Sequence, residues 1–220
     1  MQSEVVSQVT RIILQKLKDL ERFQVPIGIS NRHVHLSQTD LDRLFGKDYA
    51  LTKKKDMKQP GQFAAEETVT LVGPKGQMNR VRILGPIRKE SQVEISLTDG
   101  FRLGVHAPIR ESGKLDNTPG LTLVGPKGRI DLPRGTIVAL RHIHMTPEQA
   151  SQMGVTDGEL VEVETCGTRR SILGNVLVRV SDRYALEMHL DIDEANACAL
   201  KNGDTVLLRK TEGNLAKKQH

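Results

Sequence analysis

Two short segments of this chain, Asn31-Arg32-His33-Val34-His35-Leu36-Ser37 and Leu140-Arg141-His142-Ile143-His144-Met145-Thr146, are near copies, and each carries a His-x-His pair. In an extended strand alternate side chains share a face, so His33 with His35, and His142 with His144, present paired imidazoles. Such a pair is a bidentate clamp for a transition metal. A single copy competes with two chance histidines on an exposed strand, because short motifs misfire. The duplication argues for two related units that each deliver a histidine pair.

Glu94, within Gln92-Val93-Glu94-Ile95-Ser96, and His189, within Leu186-Glu187-Met188-His189-Leu190-Asp191, are the residues that could complete a metal site. Taken alone, Glu94 reads as a solvent-facing strand residue and His189 equally well as a buried structural histidine. With the four paired histidines they supply six nitrogen and oxygen donors, more than one tetrahedral zinc with an open water position uses. Two metals are the natural count. Nitrogen-rich donors without thiolate suit zinc, and cobalt, nickel, iron or manganese are compatible with the same ligand types. His106 and His220 have no such company.

Arg88 precedes Glu94 by an even number of residues, which on a continuous strand returns it to the same face. Its planar guanidinium suits phosphate or carboxylate, against the plainer reading of a surface arginine. No P-loop, G-x-G-x-x-G fingerprint or G-x-S-x-G elbow is present, so nucleotide hydrolysis and serine acyl transfer have no support.

The elements that must position these groups are legible around them. Ser37 and Thr146 stand as helix N-caps after the two histidine pairs, and Pro147 takes a first helical position in the second copy. Short helices carrying Leu41, Leu44 and Phe45, or Ala150 and Met153, follow, closed by Gly46 and Gly154. Elsewhere the texture is short β-branched or alternating runs, at Thr68 to Val72, Val81 to Leu84, Val93 to Leu97, Leu121 to Val124, Thr136 to Leu140, Leu160 to Glu164, Val176 to Val180 and Thr205 to Leu208. These predict strands. An identical Thr-Leu-Val-Gly-Pro-Lys-Gly segment begins at Thr70 and again at Thr122, which predicts two similar hairpins. Many short strands at this spacing favour barrels or sandwiches over a βαβ sheet.

Residues 1 to about 21 differ from the rest. Val5, Val9, Ile12, Ile13, Leu17 and Leu20 recur three to four apart, the pattern of an amphipathic helix, and Pro26 lies beyond its end. Its apolar stripe either packs on its own domain or docks into a partner's groove.

The chain has 220 residues, 37% hydrophobic and 27% charged, a globular composition. No apolar run of spanning length and no signal-peptide core is present, which argues against a membrane. Cys166 and Cys198 form neither a C-x-x-C pair nor a disulfide framework, consistent with a reducing cytoplasm. A formal charge of +5 invites a nucleic-acid reading, but tryptophan is absent and aromatic residues make up only 3%, too few for base stacking. Polyanionic small molecules fit better. The basic run Lys53-Lys54-Lys55-Asp56-Met57-Lys58 reads as a solvated loop, with attraction of a phosphorylated cofactor as the functional alternative.

Six segments together, and in this order, carry a resemblance: Ser30 to Ser37, Gln59-Pro60-Gly61-Gln62 to Glu66, Gly85-Pro86-Ile87-Arg88, Gln92 to Ser96, Arg141-His142-Ile143-His144-Met145 and Leu186-Glu187-Met188-His189. The chain closely resembles, over nearly its whole length, the PduL-type phosphate propanoyltransferases, the phosphotransacylases of bacterial microcompartments. The resemblance implies a mainly β fold of two β-barrel domains with short capping helices, preceded by the N-terminal amphipathic helix. The first strand would complete the C-terminal barrel, so that residues 22–31 plus 140–210 form one barrel and 32–139 the other, with a flexible tail at 211–220. Each His-x-His would then sit where the chain crosses between barrels, and clefts between domains are favoured ligand sites.

The resemblance further implies two zinc ions per chain, one on His33, His35 and Glu94, the other on His142, His144 and His189. Arg88 and Ser112 would bind phosphate. The implied reaction is reversible transfer of a propanoyl or acetyl group between coenzyme A and inorganic phosphate, giving acyl phosphate and free coenzyme A, as in propanediol degradation. One metal would hold the coenzyme A sulfur, and the second, with Arg88, the phosphate. The enzyme would be a homodimer in the cytoplasm, inside a microcompartment, with residues 1–21 as an encapsulation peptide that meets shell or core proteins. No nucleic acid or membrane is implied.

Two rival readings fit the same residues. One is a dinuclear zinc hydrolase of an ester or amide, although amidohydrolases place such histidines on a (β/α)₈ barrel that needs about 250 residues. The other is a non-enzymatic metal-binding shell module. Dependence on phosphate separates all three.

Overall fold

The computed structural model describes residues 5–14 and 24–209. The predicted N-terminal helix is present as α1 over 5–14, and the rest of residues 1–21 and the 211–220 tail lie outside the described residues. Along α1, Val5, Val9, Ile12 and Ile13 are all about half exposed. Among the described residues no helix is long and apolar enough to cross a membrane.

The fold is mainly β and divides into two compact units. The first draws its described residues from 1–28, 142–189 and 197–220, and the second from 29–141 and 190–196. Six strands close the first into a barrel: β1 (Gln24–Ser30), β11 (His142–Met145), β12 (Leu160–Glu164), β13 (Ile172–Val180), β14 (Glu187–Asp191) and β15 (Thr205–Arg209), in the order β1-β14-β11-β13-β12-β15. Strand β1 enters it by antiparallel pairing with β15, Val25 against Val206, both fully buried. Helix α4 (Pro147–Met153) follows β11 behind the predicted cap. Thr146 accepts from the Gln149 N–H, Gln149 reaches back, and Gly154 closes in the left-handed region at φ 65°.

The second unit is a curled nine-stranded sheet built on β2 (His33–His35), β3 (Lys53–Asp56), β4 (Phe63–Val72), β5 (Gln77–Gly85), β6 (Gln92–Glu94), β7 (Ile109–Arg110), β8 (Thr122–Val124), β9 (Arg129–Asp131) and β10 (Thr136–Ala139). Its organisation is an internal duplication. Strand β2 runs antiparallel to β6 and parallel to β5, while β6 runs parallel to β10. Helix α2 (Gln38–Phe45) follows β2, and α3 (Leu97–Leu103) follows β6. Each opens on a serine cap, Ser37 answering the Asp40 N–H and Ser96 the Asp99 N–H.

The two identical turns belong to this duplication. Lys75 N–H donates to Leu103 O at the end of α3, and Lys127 N–H donates to Leu44 O at the end of α2, both at 3.0 Å. Each turn therefore satisfies a carbonyl that its helix leaves unpaired, and it does so on the helix of the other repeat. The approach is close enough to require glycine. A Cβ on Gly73 would lie 2.3 Å from Leu103 O, and one on Gly125 would lie 2.6 Å from Leu44 O. Val34, Leu36, Leu41, Leu44, Leu71, Ile83, Val93, Leu103 and Leu123 fill the core between the repeats with no exposed surface.

Two local expectations change. The strand expected over Val93 to Leu97 stops at Glu94, because the Ser96–Asp99 capping box starts α3. The basic segment expected as a loop forms β3, an exposed edge strand on β4, where lysines suit a solvated edge. Lys53 pairs with Asp56 at 3.0 Å and Lys54 with Glu66 at 2.8 Å, so local carboxylates answer part of its charge.

Candidate metal centres

The first cluster stands on the β2–β6 pair. Antiparallel register sets His33 opposite Glu94, Val34 opposite Val93 and His35 opposite Gln92. The two valines point into the core, which turns all four polar side chains to the other face. His33 Nε2 lies 3.4 Å from Glu94 Oε2 and His35 Nε2 lies 3.9 Å from Glu94 Oε1. One ligand atom from each of the three residues falls within 4.8 Å of the others. His33 is oriented from behind by its Nδ1–H, which donates to Asn31 O at 2.8 Å and turns Nε2 toward Glu94.

Arg88 and Ser112 adjoin this cluster. Arg88 Nη1 donates to Ser112 Oγ at 3.1 Å, and Ser112 Oγ donates to Glu94 Oε1 at 3.0 Å. Gln92 Nε2 donates both to Ser112 Oγ at 2.8 Å and to Glu94 Oε1, while its own carbonyl accepts the Gly113 N–H at 2.8 Å. The even-spacing argument for Arg88 does not describe how it arrives. Strand β5 ends at Gly85, Pro86 cannot donate to a ladder, and Arg88 sits in the connection to β6. Its backbone N–H is tied to Leu36 O at 2.8 Å.

Electrostatics divide the two imidazoles of this cluster. Burial opposes a charge on His33, but the Glu94 carboxylate and the Asn31 carbonyl outweigh it and raise its pKa. His35 is lowered well below the ordinary histidine range by burial, with the neighbouring His33 and Arg88 charges adding to it. Glu94 is buried, which favours its protonated form, yet His33, His35 and Arg88 hold it well below the usual carboxylate range. The cluster thus keeps an anion and at least one neutral imidazole among buried side chains.

The second cluster repeats the geometry on the β11–β14 pair. His142 faces His189, Ile143 faces Met188 and His144 faces Glu187. Ile143 and Met188 are fully buried in the barrel, so the polar residues share the opposite face. The rings of His142, His144 and His189 are separated by 4.7, 4.9 and 4.9 Å, and their ligand atoms also fall within 4.8 Å of one another. His144 stacks on Tyr184 at 4.2 Å. Its pKa is lowered to about 2 by burial and by His142, His189 and Arg179. Both nitrogens of His144 are buried with no hydrogen-bond partner. Leaving such atoms unanswered costs about 1–3 kcal/mol each, whereas a metal would answer one of them. The donor sets, two imidazoles with a carboxylate and three imidazoles, fit zinc and its neighbours in the transition series.

All six residues expected as ligands thus fall into these two clusters, with Arg88 and Ser112 beside the first. His106 is exposed and belongs to neither, His220 lies outside the described residues, and neither Cys166 nor Cys198 lies in a cluster. Gln92 and Glu187, the fourth polar position of each strand pair, were not singled out from sequence. The signal exists: His33-Val34-His35-Leu36-Ser37-x-Thr39-Asp40 and Gln92-Val93-Glu94-Ile95-Ser96-x-Thr98-Asp99 repeat one pattern, which places Gln92 and Glu94 where His33 and His35 stand.

Fold and clusters together define a mainly β protein with two strand-borne, histidine-rich donor sets, one of them beside the Arg88 guanidinium. Residues 26–201 match the family model described as phosphate propanoyltransferase, and the chain belongs to the phosphate propanoyltransferase family, a family of acyltransferases. Over 223 aligned residues it is 50% identical to a phosphate propanoyltransferase of Rhodopseudomonas palustris (strain BisB18), covering 96% of this chain and 99% of the relative. It is 54% identical to that of Rhodobacter capsulatus over 87% of this chain and 89% of the relative. Against that of Thermotoga maritima identity is 55% over 83% of this chain and 87% of the relative.

Proposed function

We propose that this chain catalyses reversible transfer of a propanoyl or acetyl group between coenzyme A and inorganic phosphate. In the forward direction a phosphate oxygen bonds to the thioester carbonyl carbon and the carbon–sulfur bond breaks. Acyl phosphate and a coenzyme A thiolate are released, and the thiolate takes up a proton from solvent. The single observation that carries this reading is the chain of contacts from Arg88 through Ser112 to Glu94, which sets a guanidinium two hydrogen bonds from a candidate metal ligand.

His33, His35 and Glu94 would hold one zinc and His142, His144 and His189 the other. When bound, zinc supplies Lewis acidity, which polarises a carbonyl and lowers the pKa of a thiol. The chain's own residues do the rest. Arg88 presents a bidentate fork to phosphate and offsets its charge as the new bond forms. Ser112 Oγ, between Arg88 and Glu94, is placed to turn its hydrogen toward a phosphate oxygen. Gln92 keeps Glu94 and Ser112 in position. No side-chain nucleophile is needed, and both cysteines stand apart from the clusters.

The exposed apolar residues of α1 support a docking role, with a shell or core protein of a microcompartment as the partner. That location, the homodimer, the role in propanediol degradation and zinc as the metal belong to the same proposal. So does the assignment of residues 22–31 plus 140–210 and of 32–139 to two barrels.

The deciding experiment is coenzyme A release from propanoyl-CoA by metal-replete protein, with and without phosphate, alongside His142→Ala and Arg88→Ala. Turnover that requires phosphate and is lost in both variants is expected. Turnover without phosphate would identify a hydrolase, and a His142→Ala protein that kept its metal and its rate would overturn the site.

A further inference from the structure

We propose that Glu187 is the anionic positioning residue of the second centre, holding His189 for a metal by accepting its ring proton. The inference rests on the reading of His142, His144 and His189 as a metal site and adds a residue to it. Its first support is the shared architecture of the two centres. Each is an antiparallel strand pair with four polar positions on one face. In the first, His33 faces Glu94 and His35 faces Gln92; in the second, His142 faces His189 and His144 faces Glu187. Three positions of each pair form the donor cluster. Gln92 and Glu187 occupy the same fourth position.

What the fourth residue does is also shared, with the polarity matched to its neighbour. Gln92 offers an amide N–H to the carboxylate two residues on, Glu94. Glu187 offers a carboxylate to the imidazole two residues on, with Oε2 at 2.8 Å from His189 Nε2. An ionised carboxylate at that distance calls for a proton on Nε2, so the neutral ring carries its lone pair on Nδ1. A carboxylate behind a ligating histidine fixes the ring and strengthens its donor nitrogen. The first centre has Glu94 as its anion. The second has three imidazole donors and no carboxylate among them, and Glu187 is a carboxylate in contact with one of them.

A second, independent observation shows that the position is built. Glu187 lies against Gly28 of β1, and a Cβ there would fall 2.7 Å from the Glu187 Cδ and 2.8 Å from Oε1. Gly28 is not in a positive-φ conformation. Backbone freedom therefore does not explain it, and the room it leaves is filled by the Glu187 carboxylate. Only 13% of the Glu187 side chain is exposed. Taking a carboxylate this far out of water is costly unless a partner repays it, and His189 is that partner.

The test uses the full chain and zinc alone. Zinc stoichiometry and affinity are measured by chelator competition for the wild type, Glu187→Gln and Gly28→Ala, and each is also loaded with Co(II) for its absorption spectrum. Melting of the chelated proteins verifies that the variants fold. Both variants are expected to keep two sites, one of them bound about 10- to 100-fold more weakly, with the Co(II) bands unchanged in position and intensity. Gly28→Ala matters because it displaces the carboxylate without altering any donor. Two sites of unchanged affinity in either variant would overturn this inference and leave the metal reading standing. A Co(II) spectrum altered in Glu187→Gln would also overturn it, by making Glu187 a direct ligand. A wild type that binds fewer than two zinc ions would remove the metal reading itself.

Discussion

His33 stands directly opposite Glu94 across the antiparallel β2–β6 pair, with Nε2 and Oε2 3.4 Å apart. The same relation joins His142 to His189 across β11 and β14. Buried apolar residues, Val34 with Val93 and Ile143 with Met188, hold each register from the core side. A one-residue slip would turn every donor to the core face, so packing energy enforces the donor geometry.

Removing Glu94 as an anion tests the first centre. Glu94→Gln keeps the shape and the Gln92 and Ser112 contacts but deletes the charge that His33 and His35 face. One of two metal equivalents is expected to be lost from purified protein, with turnover reduced at least 100-fold, measured by elemental analysis and coenzyme A release. Full metal content would count against Glu94 as a ligand.

Arg88 should act on phosphate more than on the thioester. Arg88→Lys retains charge but loses the planar fork, and the KM for phosphate is expected to rise about tenfold while that for propanoyl-CoA changes little. Arg88→Ala should lower kcat/KM for phosphate by about 10²- to 10³-fold. An equal effect on both substrates would assign Arg88 a structural role through Ser112.

The chelated protein should be acid-sensitive through His144. Its pKa is about 2 in the fold against 6.5 ordinarily. The unfolded chain takes up a proton that the folded one refuses, so stability present above 6.5 is lost as pH falls toward 2, at up to about 1.4 kcal/mol per pH unit. His35, also lowered, acts with the same sign, and His33, raised, with the opposite one. Urea midpoints between pH 7 and pH 5 should fall less steeply in His144→Gln than in the wild type. Equal slopes would show that His144 is not held neutral by burial.

The exchanged turns predict a stability effect far from any donor. Gly125→Ala would place a methyl 2.6 Å from Leu44 O and force the turn off the end of α2. A loss of about 1–3 kcal/mol is expected, read as a lowered melting temperature of the chelated protein. A melting temperature equal to the wild type's would show that the turn can withdraw at no cost.

Much of the candidate site was legible because its signals are local. Alternation along a strand, a capping residue three positions before its partner and a glycine that ends a helix act within one turn or one strand, so His33, His35, His142 and His144 with their helices α2 and α4 could be read from adjacent residues. Two repeats, of the histidine pair and of the glycine–proline turn, marked internal duplication before any contact was known. Strand β6 is shorter than its β-branched run through Val93 suggests, because the serine cap at Ser96 starts α3.

Other features lie in no stretch of sequence. Pairing across strands decided which carboxylate or histidine completes each pair, since nothing local links His33 to Glu94 or His142 to His189. The connection after Pro86, not strand periodicity, brings Arg88 to Ser112. Glu187 looks like an ordinary polar residue until antiparallel register sets it opposite His144. The exchange of turns between α2 and α3 needs both repeats folded together. Residue types and their spacing determined which donors this chain has; long-range hydrogen bonding and burial, which act between residues distant in the chain, decided how they are grouped, charged and oriented.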